Sequence, residues 1–533
     1  MTNKLYLGDC LDVLRNELEI KPESVDLIYI DPPFNSKRNY NVFFDDSELQ
    51  TQRMAFEDTW SLHNVSQSLT ELDTIQHDKL LNLLNVYRDI APHVFPYLVM
   101  MTLRIIELHR VLKPTGSFYL HCDPTASHYL KIVCDAIFWA KNFKNEIIWR
   151  RYGSHNDVGQ GSKHFGRVHD IIFFYTKNES PTWNQVFTPL APEYIEKTYK
   201  NIEPDTGRRF TTTPLTAPGG AEKGNPVFEW NGHTRAWRYN KKRIEELDKQ
   251  GLLHYSKTGY IRQKLYLENS KGVPVQDEWT DIPALLGSHK ERLGYPTQKP
   301  KALLERIIQA SSNEGDVVLD GFCGCGTSID AAESLNRKWI GIDIAPFAVS
   351  LIKRRLQDTY GDDLNKFEIR GTPTDAASAI KLWEQNQFAF EDWWLTELEV
   401  FATTYGRKGA DKGIDGIGQY LIPKSDKSIR VAFQVKGGKV QSKDIDALMG
   451  VVALEKYDMG ILLTRHNPTK PMLNKAAQAG LLKTNYGYTY PKIQIMTLDE
   501  FFSGKQLNLP KDNITFKSAA TTGKASQQKS LFG

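Results

Sequence analysis

The 533-residue chain carries 67 Lys and Arg against 64 Asp and Glu, a net charge of +3, and 40% of its residues are hydrophobic. That is ordinary globular usage, ample for sizeable cores and, at roughly 150 residues per domain, for three or four folded units. No apolar run is long enough to span a membrane, and the start Met1-Thr2-Asn3-Lys4-Leu5-Tyr6-Leu7-Gly8-Asp9 lacks the long apolar segment of a secretory signal. The five cysteines (Cys10, Cys122, Cys134, Cys323, Cys325) are few and odd in number. They argue against a disulfide framework and for a reducing, cytoplasmic compartment.

In chain order, Val25-Asp26-Leu27-Ile28-Tyr29-Ile30 reads as a buried strand that ends in Asp31-Pro32-Pro33-Phe34. Residues 70–112 read as helical and stop at Lys113-Pro114-Thr115-Gly116. Strands follow at Ser117–His121, Glu146–Trp149 and Ile171–Tyr175, with a helix through Lys141 between the first two. Residues 178–295 break this rhythm with Pro and Gly punctuation. α/β order resumes with a helix at Lys301–Ser311, a strand at Val317–Asp320, a glycine loop, a helix to Leu335 and a strand ending at Asp343. The expected division is 1–177 with 296–371 as one α/β domain, 178–295 as an inserted region, 372–387 as a linker, 388–510 as a second α/β domain and 511–533 as a disordered tail.

The charge is unevenly spread. Residues 511–533 hold four Lys and one Asp, so the tail accounts for the whole net surplus. Residues 200–264 hold thirteen Lys and Arg against seven Asp and Glu. There Arg235, Trp237, Arg238, Lys241 and Lys242 interleave basic and aromatic side chains that can neutralise phosphates and stack on bases. Glu245, Glu246 and Asp248 at helical spacing equally fit a solvated helix.

Asp320-Gly321-Phe322-Cys323-Gly324-Cys325-Gly326-Thr327 joins a strand to a helix, and its glycines let backbone amides approach a ligand. Asp343, at the end of the next strand, suits ribose hydroxyls. An exocyclic amine on a base is a poor nucleophile, because its lone pair is delocalised into the ring. The Asp31 carboxylate and the Pro32 carbonyl could accept its protons and localise that pair while Phe34 stacks on the base.

Together these segments resemble DNA amino-methyltransferases that use S-adenosylmethionine, in the order where the catalytic D-P-P-F motif precedes the F-x-G-x-G cofactor motif. Gly8-Asp9 matches the family's short acidic motif, Tyr295-Pro296-Thr297-Gln298-Lys299-Pro300 the approach to the cofactor helix, and Phe322–Gly326 the cofactor loop. The resemblance covers about residues 3–370 and implies a Rossmann-like α/β fold that takes double-stranded DNA and flips out the target base. It implies that Asp31, Pro32, Pro33 and Phe34 are catalytic. It assigns S-adenosylmethionine to Asp9, Lys299, Asp320, Phe322, Gly324, Gly326, Thr327 and Asp343. Asp at the first motif position favours adenine over cytosine.

In the C-terminal region, Gly413-Ile414-Asp415-Gly416 is a glycine turn, and Gln434 and Lys436 share one face of the strand Val431–Lys436. A helix at Trp393–Thr403 carries Glu397 and Glu399. This pattern resembles the Mrr-type branch of PD-(D/E)XK restriction nucleases. It implies catalysis by Asp415, Gln434 and Lys436, with Mg²⁺ held by Asp415, Gln434 and Glu397. A hairpin with surface charges, or a nuclease fold that only grips DNA, fits the same residues. The end Gln527-Gln528-Lys529-Ser530-Leu531-Phe532-Gly533 resembles the Q-x-S-L-F peptide that docks on the bacterial replication sliding clamp through Gln528, Leu531 and Phe532. The whole describes a cytoplasmic, nucleoid-associated enzyme that modifies DNA and also cuts it.

Overall fold

The computed structural model describes residues 2–33, 62–74, 77–153, 163–256, 259–286, 289, 291–293, 298–402, 413–425 and 427–513. Phe34, Tyr295 to Thr297 and the tail residues Gln528, Leu531 and Phe532 lie outside this set. The chain forms two compact units, Met1–Asn184 with Asp277–Gly533, and Gln185–Gln276.

The first unit is built on a nine-stranded sheet. Its strands are β1 (Asn3–Leu7), β2 (Val25–Ile30), β3 (Leu112–Cys122), β4 (Phe143–Arg150), β5 (His169–Thr176), β6 (Glu278–Trp279), β7 (Val317–Asp320), β8 (Lys338–Asp343) and β9 (Phe367–Arg370). They lie in the order β6-β4-β5-β3-β2-β7-β8-β1-β9. Neighbours are parallel except at β5, which runs antiparallel to both β3 and β4. Every residue of β2 is buried, as expected of a parallel strand covered on both faces. Helices α1 (Cys10–Arg15), α2 (Phe95–Val111), α3 (Ser127–Phe138), α4 (Lys301–Ser311), α5 (Thr327–Ser334) and α6 (Pro346–Tyr360) complete this α/β, Rossmann-like layer.

The helical stretch expected over 70–112 is three helices, Leu62–Thr74, Asp78–Ile90 and α2. Ala91 leaves helical geometry because Pro92 follows it, and Pro96 opens α2. Lys113–Gly116 was expected as a turn, but it lies within β3, where the register against β2 shifts. Glu278–Trp279 pairs with β4, so the inserted unit is narrower than the expected 178–295.

The second unit has a four-stranded sheet, a hairpin of Val227–Trp230 with His233–Ala236, and the helix Lys241–Lys249. Its core is Leu215, Trp237, Ile244, Leu247, Leu253 and Ile261.

Back in the first unit, α7 (Ala376–Gln385) occupies the expected linker, and its Ala379 joins a core with Phe390, Trp393 and Trp394. That core packs on a second sheet in the order β10-β11-β12-β13-β14, with β10 (Phe401–Ala402), β11 (Gly416–Leu421), β12 (Ser428–Lys436), β13 (Met459–Thr464) and β14 (Ile493–Thr497). Helix α8 (Gln387–Glu397) ends earlier than the expected Thr403, since Glu399 adopts a positive φ of 55° and turns the chain into β10. The five cysteines are free and buried, and no helix among the described residues is long and apolar enough to cross a membrane.

Candidate active site

Four adjacent parallel strands of the large sheet, β2, β7, β8 and β1, end at or within two residues of Asp31, Asp320, Asp343 and Asp9. The sequence distributes these acids over more than 330 positions. The topology gathers them at one carboxyl edge, where open α/β sheets bind ligands.

Asp343 accepts backbone N–H bonds from Gly324 at 2.8 Å on Oδ2 and from Ala345 at 2.9 Å on Oδ1. Burial nevertheless pushes its carboxyl up to about 6. Asp320 accepts the Phe322 N–H at 3.0 Å and the Ser328 hydroxyl, and burial pushes it up to about 7 with Asp31 and Asp343 adding like charge. The loop between them is sterically determined. Gly326 has φ 73°, and a Cβ there would lie 2.6 Å from Ile352 of α6.

Two arginines absent from the sequence reading hold this edge together. Arg104 of α2 donates to Asp9 Oδ2 at 2.5 Å while Asp9 Oδ1 caps α1 by accepting the Leu11 N–H at 2.7 Å. Its signal in the sequence is a lone cation in the apolar run Phe95–Leu108, which must find a buried partner. Arg355 of α6 donates to Asp330 Oδ2 at 2.8 and 3.1 Å, to the Cys325 carbonyl at 3.3 Å and to the Thr327 hydroxyl at 3.2 Å. It therefore ties the glycine loop to α5 and α6. Lys301 and Tyr360 bond the other Asp330 oxygen.

Lys299 was expected on the cofactor, but its ammonium is ion-paired with Asp31. Pro32 is buried beside it.

In the second unit, Trp237 is not a stacking platform. It is 1% exposed, and its indole N–H donates to the Phe228 carbonyl at 2.8 Å. The basic neighbours suggest a solvent-facing ring, but core packing claims it. Arg235, Arg238, Lys241 and Lys242 are exposed, and Arg235 donates to the Tyr260 hydroxyl at 2.8 Å.

In the C-terminal sheet, β11 and β12 are antiparallel with Gly416 opposite Phe433, which sets Asp415 beside Gln434. Asp415 Oδ2 accepts the Val435 N–H at 2.7 Å. Gln434 is 5% exposed, its Nε2 donates to the Gly413 carbonyl at 2.9 Å, and its Oε1 is buried without a hydrogen bond among the described residues. Glu397 is not brought to this pair. Leu395 of α8 meets Gly416, Glu397 lies about 200° around the helix from it, and burial raises the Glu397 carboxyl against the opposing charge of Lys353. Among the described residues no three of His, Cys, Asp and Glu are grouped as for a metal ion.

Two segments of the chain match known families. Residues 389–503 match a family described as NACHT-associated inactive Restriction Endonuclease 1. Type II methyltransferase M.EcaI of Enterobacter cloacae is 30% identical over 347 residues, covering 64% of this chain and 66% of its own. The StyLTI Mod subunit, of a type III restriction-modification enzyme of Salmonella typhimurium, is 29% identical over 350 residues, covering 63% and 50%. DNA adenine methyltransferase YhdJ of Escherichia coli is 26% identical over 350 residues, covering 66% and 81%. The crystal structure of Thermus thermophilus TTHA0409 with S-adenosyl-L-methionine aligns at 16% identity and TM-score 0.34, over 70% of this chain and all of that one. The chain spans half to two-thirds of the length of the first two relatives. With residues 25–354 of its 533 matched, the chain belongs to the DNA methylase family.

Proposed function

We propose that the large sheet transfers a methyl group from S-adenosylmethionine to the exocyclic amine of adenine in double-stranded DNA. The observation that carries this reading is the pairing of β2 with β7, Leu27 with Val318 and Ile28 with Leu319. It sets Asp31, the acceptor for the amine protons, next to Asp320 and the glycine loop. The residues present fit the cofactor. The loop at Gly326 has no room for a Cβ, and Asp343 is a buried carboxylate suited to ribose hydroxyls. When bound, the cofactor supplies an electrophilic methyl group. The chain's own residues hold and orient: Asp31 and the Pro32 carbonyl accept from the amine, and Lys299 fixes the Asp31 carboxylate. Adenine rather than cytosine is supported by Asp31 at the first motif position and by the name of the YhdJ relative.

Tritiated S-adenosylmethionine, DNA and the full chain test this, followed by nucleoside analysis. Label in N6-methyladenine, lost in Asp31→Ala, is expected. Label in cytosine alone overturns the base assignment, and label retained by Asp31→Ala overturns the site.

A second activity is proposed for the C-terminal sheet, on the juxtaposition of Asp415, the orphaned Gln434 Oε1 and Lys436. Asp415 and Gln434 would hold Mg²⁺, an ion of oxygen ligands that supplies an activated water for phosphodiester hydrolysis. The matched family is described as inactive, so the assay sets cutting against gripping. Mg²⁺-dependent nicking lost in Lys436→Ala supports hydrolysis. Retained DNA binding with no cleavage of unmethylated, hemimethylated or methylated DNA reduces this domain to a clamp on the duplex.

A further inference from the structure

Behind Asp31 a chain of buried polar side chains crosses three strands of the large sheet. The Tyr29 hydroxyl is 2.9 Å from His121 Nδ1, His121 Nε2 is 3.2 Å from Asp170 Oδ2, and the guanidinium of Arg151 lies 3.3 Å from Asp170 Oδ1. Tyr29, His121 and Asp170 are 2%, 0% and 2% exposed, so the two bonds of His121 are buried, while Arg151 reaches partly to solvent. Trp149 closes the cage, edge-on to the imidazole with ring centroids 5.6 Å apart.

Such a chain costs desolvation at every member, and apolar residues of the same volume would pack the sheet without that cost. Its placement explains its presence. Tyr29 lies two residues before Asp31 on the same face of β2, and His121 follows Leu120, the partner of Ile30, so it sits level with Asp31. At the far end, burial pushes the Asp170 carboxyl up. The hydrogen bond and charge of His121, with the charges of Arg151 and Lys299, outweigh burial and hold Asp170 below the usual carboxylate range. With Asp170 ionised, Nε2–H donates to it, and Nδ1 shares the remaining bond with the Tyr29 hydroxyl. Lys299 is thus shared between the fields of Asp170 and of Asp31, its ion-pair partner.

We infer that His121 is a positioning residue for methyl transfer: gripping Tyr29 and Asp170 together, it fixes the strand end from which Asp31 emerges and the Lys299 ammonium that orients the Asp31 carboxylate. The inference rests on Asp31 being the acceptor for the target amine. A misplaced carboxylate costs rate through orientation and leaves the cofactor loop, on β7 and β8, untouched.

Single-turnover methylation by the full chain tests it with His121→Phe, which keeps a ring but removes both bonds, and with the milder Tyr29→Phe, which deletes one hydroxyl. The expected result is a rate about 10- to 100-fold lower in His121→Phe and about 3- to 10-fold lower in Tyr29→Phe. Cofactor affinity and DNA KM stay within about twofold in both. The deciding readout is the double variant. In an Asp31→Asn background, His121→Phe costs little further, because its effect passes through Asp31. Unchanged rates, losses that multiply across the double variant, or equal losses of rate and cofactor affinity in both single variants overturn the proposal. Wild-type rates in Asp31→Asn overturn the underlying site assignment instead, so the two failures are distinguishable.

Discussion

Lys299 and Asp31 form an ion pair across 268 positions of sequence, and both side chains are largely withdrawn from solvent. Lys299, expected on the cofactor, meets the Asp31 carboxylate instead, and a role at either place predicts different kinetics. In Lys299→Met the rate of methyl transfer should fall about 10- to 100-fold with cofactor affinity within about twofold. A cofactor-binding lysine would show the reverse, a weaker Kd for S-adenosylmethionine by equilibrium titration with little change at saturation.

Asp320 and Asp343 tie function to a stability cost with a defined sign. Their carboxyls sit at about 7 and about 6 in the folded chain against an ordinary 3.8. The folded state therefore binds these protons more tightly than the unfolded state, and stability from these groups falls as pH rises from about 4 through 6 and 7. The Tm difference between Asp320→Asn and wild type should shift in the variant's favour across that window, by ~2 °C or more, and level off above it. The lost hydrogen bond sets the offset at low pH, while the slope measures the titration. A slope of zero would remove the reading. Asp343→Asn should weaken cofactor binding at neutral pH, and the wild-type affinity should itself weaken below about pH 6.

Arg355 and Asp330, with side chains 5% and 6% exposed, are a buried pair with a job at a distance. Arg355→Met leaves Asp330 short of its main counter-charge and frees the Cys325 carbonyl. We expect a loss of about 3–5 kcal/mol in unfolding free energy and a cofactor affinity reduced about tenfold, measured by chemical denaturation and by titration.

In the inserted unit, burial separates two kinds of residue that share one basic stretch. Trp237→Ala should cost about 3–5 kcal/mol by emptying the small core. Lys241→Ala and Lys242→Ala should leave stability unchanged. If these lysines meet phosphates, each should lower the slope of log K against log salt by about 1 in a filter-binding series.

The legible part of this chain was the part written in consecutive residues. Val25–Ile30, Val317–Asp320 and the strand ending at Asp343 are short apolar runs closed by an acid, and the structure places each as a strand at the expected residues. What stayed hidden depends on pairs distant in sequence: Arg104 with Asp9, Lys299 with Asp31, and His121 between Tyr29 and Asp170. Periodicity reports which face of a strand a residue occupies and is silent on which strand lies beside it. Trp237 failed for a related reason, since a tryptophan among arginines stacks on a base or fills a core equally well until its neighbours are known. Glu397 was placed by helix membership alone, and its azimuth on α8 sets it about 200° from Leu395, the residue that meets Gly416.

The position of β1 has a bearing on how the chain comes into being. It lies earliest in the chain among the described strands, and its neighbours among them are β8 and β9, which begin at Lys338 and Phe367. Until those segments leave the ribosome, Asn3–Leu7 has no partner strand, and at about 5–20 residues per second that interval lasts some tens of seconds. The sheet is therefore sealed from its N-terminal strand last, and the carboxyl edge that gathers the four acids is complete only after the inserted unit has already been made.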